Sequence, residues 1–276
     1  MKRKSIIILI VTVALLTLIY WPVFRWLVNS WLSNDYYSHG FLVPLVSGLL
    51  VWTKREYLNK REPSIIGGYL LVLGALLYAL SYFWGIKVLG ALSLLVVITA
   101  LVFSFFGVRI ARILIFPLVF LVFMIPAPFM GDISFRLQEI SVMSSSWLLG
   151  ALGLPITSSG PDIYLKNTIF TIGLPCSGIN TLVALLALTA VYVYILTGPV
   201  YKRVILFILA FPIAIAANIL RITSIMIVAY YSNIETATGW YHTLSSPLFF
   251  AIAFLALVLI GRIMRCSLNY DLFRRQ

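Results

Sequence analysis

The sequence predicts an all-α polytopic membrane protein: one integral membrane domain over residues 1–276, about eight transmembrane helices, a small extracytoplasmic surface helix and a β-hairpin. Composition is the first ground for this. Hydrophobic residues make up 62% of the 276 and charged residues only 10%, with a mean hydropathy of +1.06. A soluble domain of this size carries far more charge, so lipid must be the solvent for most of this surface. The second ground is a series of apolar stretches of roughly the ~20 residues that cross ~30 Å of hydrocarbon. The third is the placement of the basic residues, which cluster between those stretches as orientation signals do. A net charge of +12 would otherwise suggest nucleic acid, but no basic-aromatic stripe accompanies it.

The apolar stretches run over about 5–27, 40–52, 65–84, 88–106, 110–125, 176–196, 204–230 and 244–263. The first follows Met1-Lys2-Arg3-Lys4 and resembles a signal peptide. It is too long for an h-region and no small-x-small cleavage site follows, so it reads as a retained helix. The second is short, contains Pro44, and needs Tyr57 and Leu58 or some residues outside the core to complete a crossing. With the N-terminus inside and the spans alternating, the cytoplasmic side holds Lys2, Arg3, Lys4, Lys54, Arg55, Lys60, Arg61, Arg109, Arg112, Lys202, Arg203, Arg262, Arg265, Arg274 and Arg275. Only Arg25, Lys87, Arg136, Lys166 and Arg221 fall elsewhere. The bias supports a multi-pass protein of the cytoplasmic membrane with both termini inside. The acids do not oppose it: Asp35, Asp132, Glu139, Asp162 and Glu235 fall outside, Glu56, Glu62 and Asp271 inside.

The long segment 126–175 then lies outside. Residues 132–149 place Ile133, Leu137, Ile140, Trp147 and Leu148 near helical spacing, with Arg136, Gln138 and Glu139 opposite, as in a helix lying in the membrane surface. The serine run Ser144–Ser146 argues against a span. Ile163-Tyr164-Leu165 and residues 168–172 flank Lys166-Asn167, a hairpin pattern that feeds into Cys176. The segment is read either as a cap on the bundle or as a substrate-contacting element.

Three reactive side chains fall at one depth. Cys176 follows Pro175 and opens an apolar helix, where the positive helix end favours a thiolate. Ser177 and Gly178 are small enough to let a carbonyl approach the backbone N–H groups. The alternative is an inert buried cysteine, the reading kept for Cys266 between Arg262, Arg265 and the cytoplasmic end. The two cysteines, on opposite sides of the membrane, cannot bridge. Arg221 lies eighteen residues from Arg203, about 27 Å of helix. A charge at that depth turns toward a bundle interior or snorkels to headgroups. Asn218, three residues before it, shares its face. His242 is suited to proton transfer, or is simply part of an aromatic belt with Trp240 and Tyr241. Beside a cysteine at its level it becomes the base. His39 competes for that role, or supports substrate binding. No metal-ligand spacing and no phosphate-cradling glycine loop is seen, so neither metal nor cofactor is expected.

Asp35…Tyr37-Ser38-His39-Gly40-Phe41, Pro175-Cys176-Ser177-Gly178-Ile179, Asn218-x-x-Arg221-Ile222 and Gly239…His242, in this order, resemble the exosortase/archaeosortase family over about residues 35–260. The resemblance implies a polytopic cysteine transpeptidase with Cys176 as nucleophile and Arg221 and His242 completing the catalytic site. Its partners would be exported proteins ending in a short motif, a transmembrane helix and a basic tail, together with membrane lipids; nucleic acid is not among them. Asn180 stands where many exosortases have arginine, which leaves the subfamily and sorting motif open. A transporter or flippase of an envelope polysaccharide or lipid system is the competing expectation, with Arg221 and Asn218 on its path. Against it, no repeat is evident and the polar residues gather at one face instead of the midplane. A purely structural assembly protein would need no nucleophile.

Overall fold

The computed structural model describes residues 3–59, 62–165 and 168–268. The Lys166-Asn167 turn, the basic residues Lys2, Lys60, Arg61, Arg274 and Arg275, and Asp271 lie outside the described residues. The chain forms two compact units, Met1–Pro128 and Phe129–Gln276.

In the first unit, α1 (Arg3–Ile19) and α2 (Trp21–Ser33) form one apolar run bent by 70° at Tyr20. Pro22 in the first turn of α2 lacks an N–H that would have had no helical partner there, so the new helix starts at no cost. A 3₁₀ turn, Asp35–Phe41, leads to α3 (Leu42–Trp52). α4 (Ile66–Trp84) and α5 (Lys87–Ile113) make a hairpin closed by Gly85 in the left-handed region, φ 66°. They approach closely because Gly74 faces Val97; a Cβ on Gly74 would lie 2.5 Å from that side chain. In an apolar solvent, such small-residue contacts drive helix pairing. α6 (Ile115–Phe120) and a 3₁₀ turn, Leu121–Met124, complete the unit.

In the second unit, α7 (Met130–Ala151) precedes a three-stranded antiparallel sheet, β1 (Ile156–Ser159), β2 (Asp162–Leu165) and β3 (Thr168–Thr171). Asp162 pairs with Ser159 on one side and with Thr171 on the other. A 3₁₀ turn, Leu174–Ser177, leads into α8 (Ile179–Ile195). Then come β4 (Leu196–Thr197), α9 (Val200–Tyr231), α10 (Ile234–Thr236), a π-helical turn Ala237–Tyr241, α11 (His242–Ile263) and β5 (Ser267–Leu268), which pairs with β4. One face of the sheet buries Ile163, Leu165 and Phe170 against Ile222, Ile225, Met226 and Ala229 of α9. The strand residues alternate with period two, and the helix residues recur at i, i+3, i+4 and i+7.

Among the described residues, four helices are long and apolar enough to cross a membrane: α4, α5, α9 and the run Ile234–Ile263. The bent pair of α1 and α2 would make five. Of the eight expected stretches, the second, fifth and sixth fall on shorter helices. α3 has 11 residues, about 16 Å of rise, and Tyr57 and Leu58 belong to a separate 3₁₀ turn. The expected break between the fourth and fifth stretches is a kink inside α5 at Gly107, φ 83° and ψ −179°, where the Glu62 carbonyl packs against the glycine.

The surface helix also departs from expectation. α7 buries Ser134, Gln138, Ser141 and Ser145 and exposes Ile140, Met143 and Trp147. Ser134, Gln138 and Ser141 face inward with Leu137, Val142 and Leu149, toward the Ser177 hydroxyl, the Ile172 carbonyl and the Asn218 amide, while Arg136 and Glu139 pair with each other on the exposed side. The segment read as two strands carries three, since Ile156–Ser159 adds an outer strand.

Candidate active site

Cys176 stands on the 3₁₀ turn Leu174–Ser177, not on the first turn of α8 as the sequence suggested. The reason is Gly178, whose φ of 90° breaks the helical path and delays α8 to Ile179. The Cys176 N–H is tied to the Gly173 carbonyl at 2.9 Å, which closes the turn. Gly178 also allows a close approach: a Cβ there would lie 2.6 Å from Asn218 Cγ. The Asn218 amide therefore reaches the turn and donates to the Cys176 carbonyl at 3.2 Å and to Ser141 Oγ at 3.0 Å. Ser177 points away from the thiol. It is buried, shares a 2.8 Å hydrogen bond with Ser134 Oγ, and accepts from the Ile179 N–H.

His242 comes from the other end of the unit's sequence. The π turn and the non-helical Gly239 re-aim the chain after α9 and set His242 at the start of α11. Single π turns of this kind are frequent at functional sites. His242 Nε2 lies 3.3 Å from Cys176 Sγ and 3.3 Å from Arg221 Nη2. Arg221 can only donate. The one lone pair of Nε2 thus stands between two donors, the guanidinium and the thiol, and accepts from one of them at a time. Arg221 is buried in α9 and held by Nε donating to Ser245 Oγ at 3.2 Å; Ser245 in turn donates to the His242 carbonyl at 2.9 Å. The guanidinium thus turns inward and does not snorkel.

These three side chains border a recess of about 190 Å³ whose other walls include Phe170, Ile172, Ile222, Ile225 and Met226. That is room for a side chain or two of an extended peptide beside the sulfur. A thiol, a proton acceptor and a fixed cation around one apolar recess have the geometry of acyl transfer.

A family model described as transmembrane exosortase matches residues 31–259, which include Cys176, Arg221 and His242. The chain belongs to the transmembrane exosortase family. No curated protein and no solved structure matches it. In this exosortase-family chain, Cys266 lies just past the far end of α11. Twenty-two helical residues, about 33 Å, separate it from the His242 end, far beyond bridging distance. His39 belongs to the first unit, on the 3₁₀ turn Asp35–Phe41. It is half-buried, its ring bonds the Phe123 backbone, and burial holds its pKa below the ordinary imidazole value. Among the described residues no group of three metal-ligating side chains comes together.

Sequence reasoning missed the layer behind the site, namely Ser134, Gln138, Ser141 and Ser245. Gln138 Nε2 donates to the Ile172 carbonyl and steadies the strand end that leads to Cys176. The signal was present. Ser134, Gln138, Ser141 and Ser145 recur at helical spacing on a face free of the charged residues Asp132, Arg136 and Glu139, and Ser245 follows His242 by three within a hydrophobic helix.

Proposed function

We propose that the chain is a membrane-embedded cysteine transpeptidase that cleaves the C-terminal sorting signal of exported proteins and passes the cleaved chain to an acceptor. The observation that carries this reading is the pair of 3.3 Å contacts meeting at His242 Nε2, from Cys176 Sγ and Arg221 Nη2. Arg221 Nη2 turns from Nε2 toward the scissile carbonyl, and the thiol proton passes to the freed lone pair. The sulfur attacks the scissile carbonyl, whose side chain on the acyl side enters the apolar recess. Arg221, the cation among the recess-lining residues, stabilises the oxyanion. The C–N bond breaks, and the imidazolium returns its proton to the leaving amine. A thioester to Cys176 remains. An amine or water then attacks it, giving its proton to Nε2, and the thiol reforms. Asn218, through the Cys176 carbonyl, and Gly178, through its lack of a Cβ, position the turn.

The proposed orientation places both termini in the cytoplasm and this site outside, with the substrate's tail helix left in the membrane after cleavage. Fifteen of the 20 basic residues support it by sequence position. The test is a reporter carrying a candidate motif, helix and basic tail, taken from the same genome and followed in membranes. Cys176→Ala should leave only uncut reporter, and Cys176→Ser should process it far more slowly than the parent. Processing at the parent rate by either variant would remove the nucleophile assignment.

A further inference from the structure

We infer that a cavity in the first unit, at the bend between α1 and α2, binds the phosphate headgroup of an anionic membrane lipid. The cavity measures about 620 Å³. It exists because the first apolar run turns by 70° at Tyr20, opening space beside the α4–α5 turn. Its walls are braced. Tyr78 Oη donates to the Ile19 carbonyl at 2.7 Å, and Ser81 Oγ donates to the Ile86 carbonyl at 2.9 Å across the turn.

The lining is selective in charge. Arg25 from α2 and Lys87 from α5 both contribute, with Trp21, Trp26, Tyr78 and Tyr82 around them. No acidic residue lines the cavity, and neither cation forms an ion pair among the described residues. Two exposed cations on different helices line one space that no acidic residue lines, and together they complement an anion. Phosphate oxygens suit both, since arginine binds them in a fork and lysine as a point charge.

Two features favour a lipid over a soluble phosphate. The rim carries exposed aromatic residues, Trp21 at 61% and Tyr82 at 81% exposure, and Phe83 and Trp84 lie beside it. Aromatic side chains of this kind sit at the headgroup level of a bilayer. The volume also exceeds the need of an inorganic ion and falls in the range of a small-molecule site. The acyl chains would lie on the exposed apolar side chains of neighbouring α1 and α4, such as Leu15, Leu18 and Leu80. This site shares no residue with the proposed transpeptidase centre and does not rest on that reading.

The experiment is native mass spectrometry of the full chain in detergent, titrated separately with phosphatidylglycerol and with phosphatidylcholine. One phosphatidylglycerol should be retained preferentially. The double variant Arg25→Gln, Lys87→Gln should weaken retention by roughly twenty-five-fold, a factor of about five for each cation. The single variants should each lose about fivefold, and the charge-keeping pair Arg25→Lys, Lys87→Arg should retain the lipid; these guard against a double variant that fails to fold. A charge-matched control, Arg136→Gln with Arg262→Gln, should leave retention unchanged. Equal retention of the two lipids, an unaffected double variant, an equal loss in the control, or displacement of the lipid by millimolar inorganic phosphate would each overturn the inference.

Discussion

At the scale of single residues, the proposed chemistry turns on one ring nitrogen that faces two donors. His242→Ala removes the acceptor for the thiol proton and should slow processing by about 10²–10⁴-fold while leaving the reporter bound, as comparison of cleavage rate with co-purification would show. Arg221 is a finer test. Its Nε holds Ser245 while its Nη2 reaches His242, and a lysine has one head group for two tasks. Arg221→Lys should therefore lose activity although it keeps the charge; activity equal to the parent would show that charge alone suffices. A separate residue-scale effect concerns His39. Burial favours its neutral form in the folded protein, so the unfolded chain takes up the proton first as pH falls through about 6.5. The contribution to stability is present above that pH and is lost below it. Thermal unfolding between pH 8 and 5 should show a fall in midpoint that His39→Gln reduces, and an identical slope in both proteins would remove His39 as its source.

At the scale of elements, two glycines set where helices start and break. Gly178 holds φ at 90° with Asn218 packed on its α-carbon. Gly178→Ala would add a left-handed penalty of about 1–2 kcal/mol and push the amide from the Cys176 carbonyl. A lower melting temperature together with slower processing is expected. Gly107, at φ 83° and ψ −179°, sits in a region that only glycine occupies readily. Its backbone neighbour is Glu62, whose N–H donates to the Phe106 carbonyl at 3.3 Å. Gly107→Ala should cost about 1–3 kcal/mol or more, read as lost thermal stability or loss of folded protein. Sequence reading singled out Cys176, Arg221, His242 and Asn218, which the fold brings together, because reactive side chains stand out in apolar runs. It missed the inward turn of Ser134, Gln138, Ser141 and Ser145 on α7 because the charges of Arg136 and Glu139, which are exposed, marked the polar face. Gln138 and Ser141 turn inward because the buried Ile172 carbonyl and Asn218 amide need hydrogen-bond partners.

At the scale of the whole molecule, hydropathy revealed where the apolar chain lies but not where it bends. The turn at Tyr20 falls inside a run that looks continuous, because backbone geometry at one residue barely alters a windowed average, whereas the kink at Gly107 falls at the division between two stretches and leaves them in one helix. Among the described residues, eight apolar stretches thus become four or five helices long and apolar enough to cross a membrane and several short ones. The charges carry the proposed orientation instead, and it can be tested independently of catalysis. In a background lacking both natural cysteines, Ser232→Cys would sit in the exposed connection after α9, near the His242 end of the unit, and Glu56→Cys on the exposed 3₁₀ turn after α3. With both termini inside, a membrane-impermeant maleimide should label position 232 in intact cells and position 56 only after permeabilisation. Each position reports on its own unit, so the two results stand separately. If position 232 is sealed in intact cells and opened by permeabilisation, the thiol, guanidinium and imidazole face the cytoplasm. An exported protein held by its tail helix would then never present its motif to Cys176, and the transpeptidase reading would have to give way to a cytoplasmic reaction.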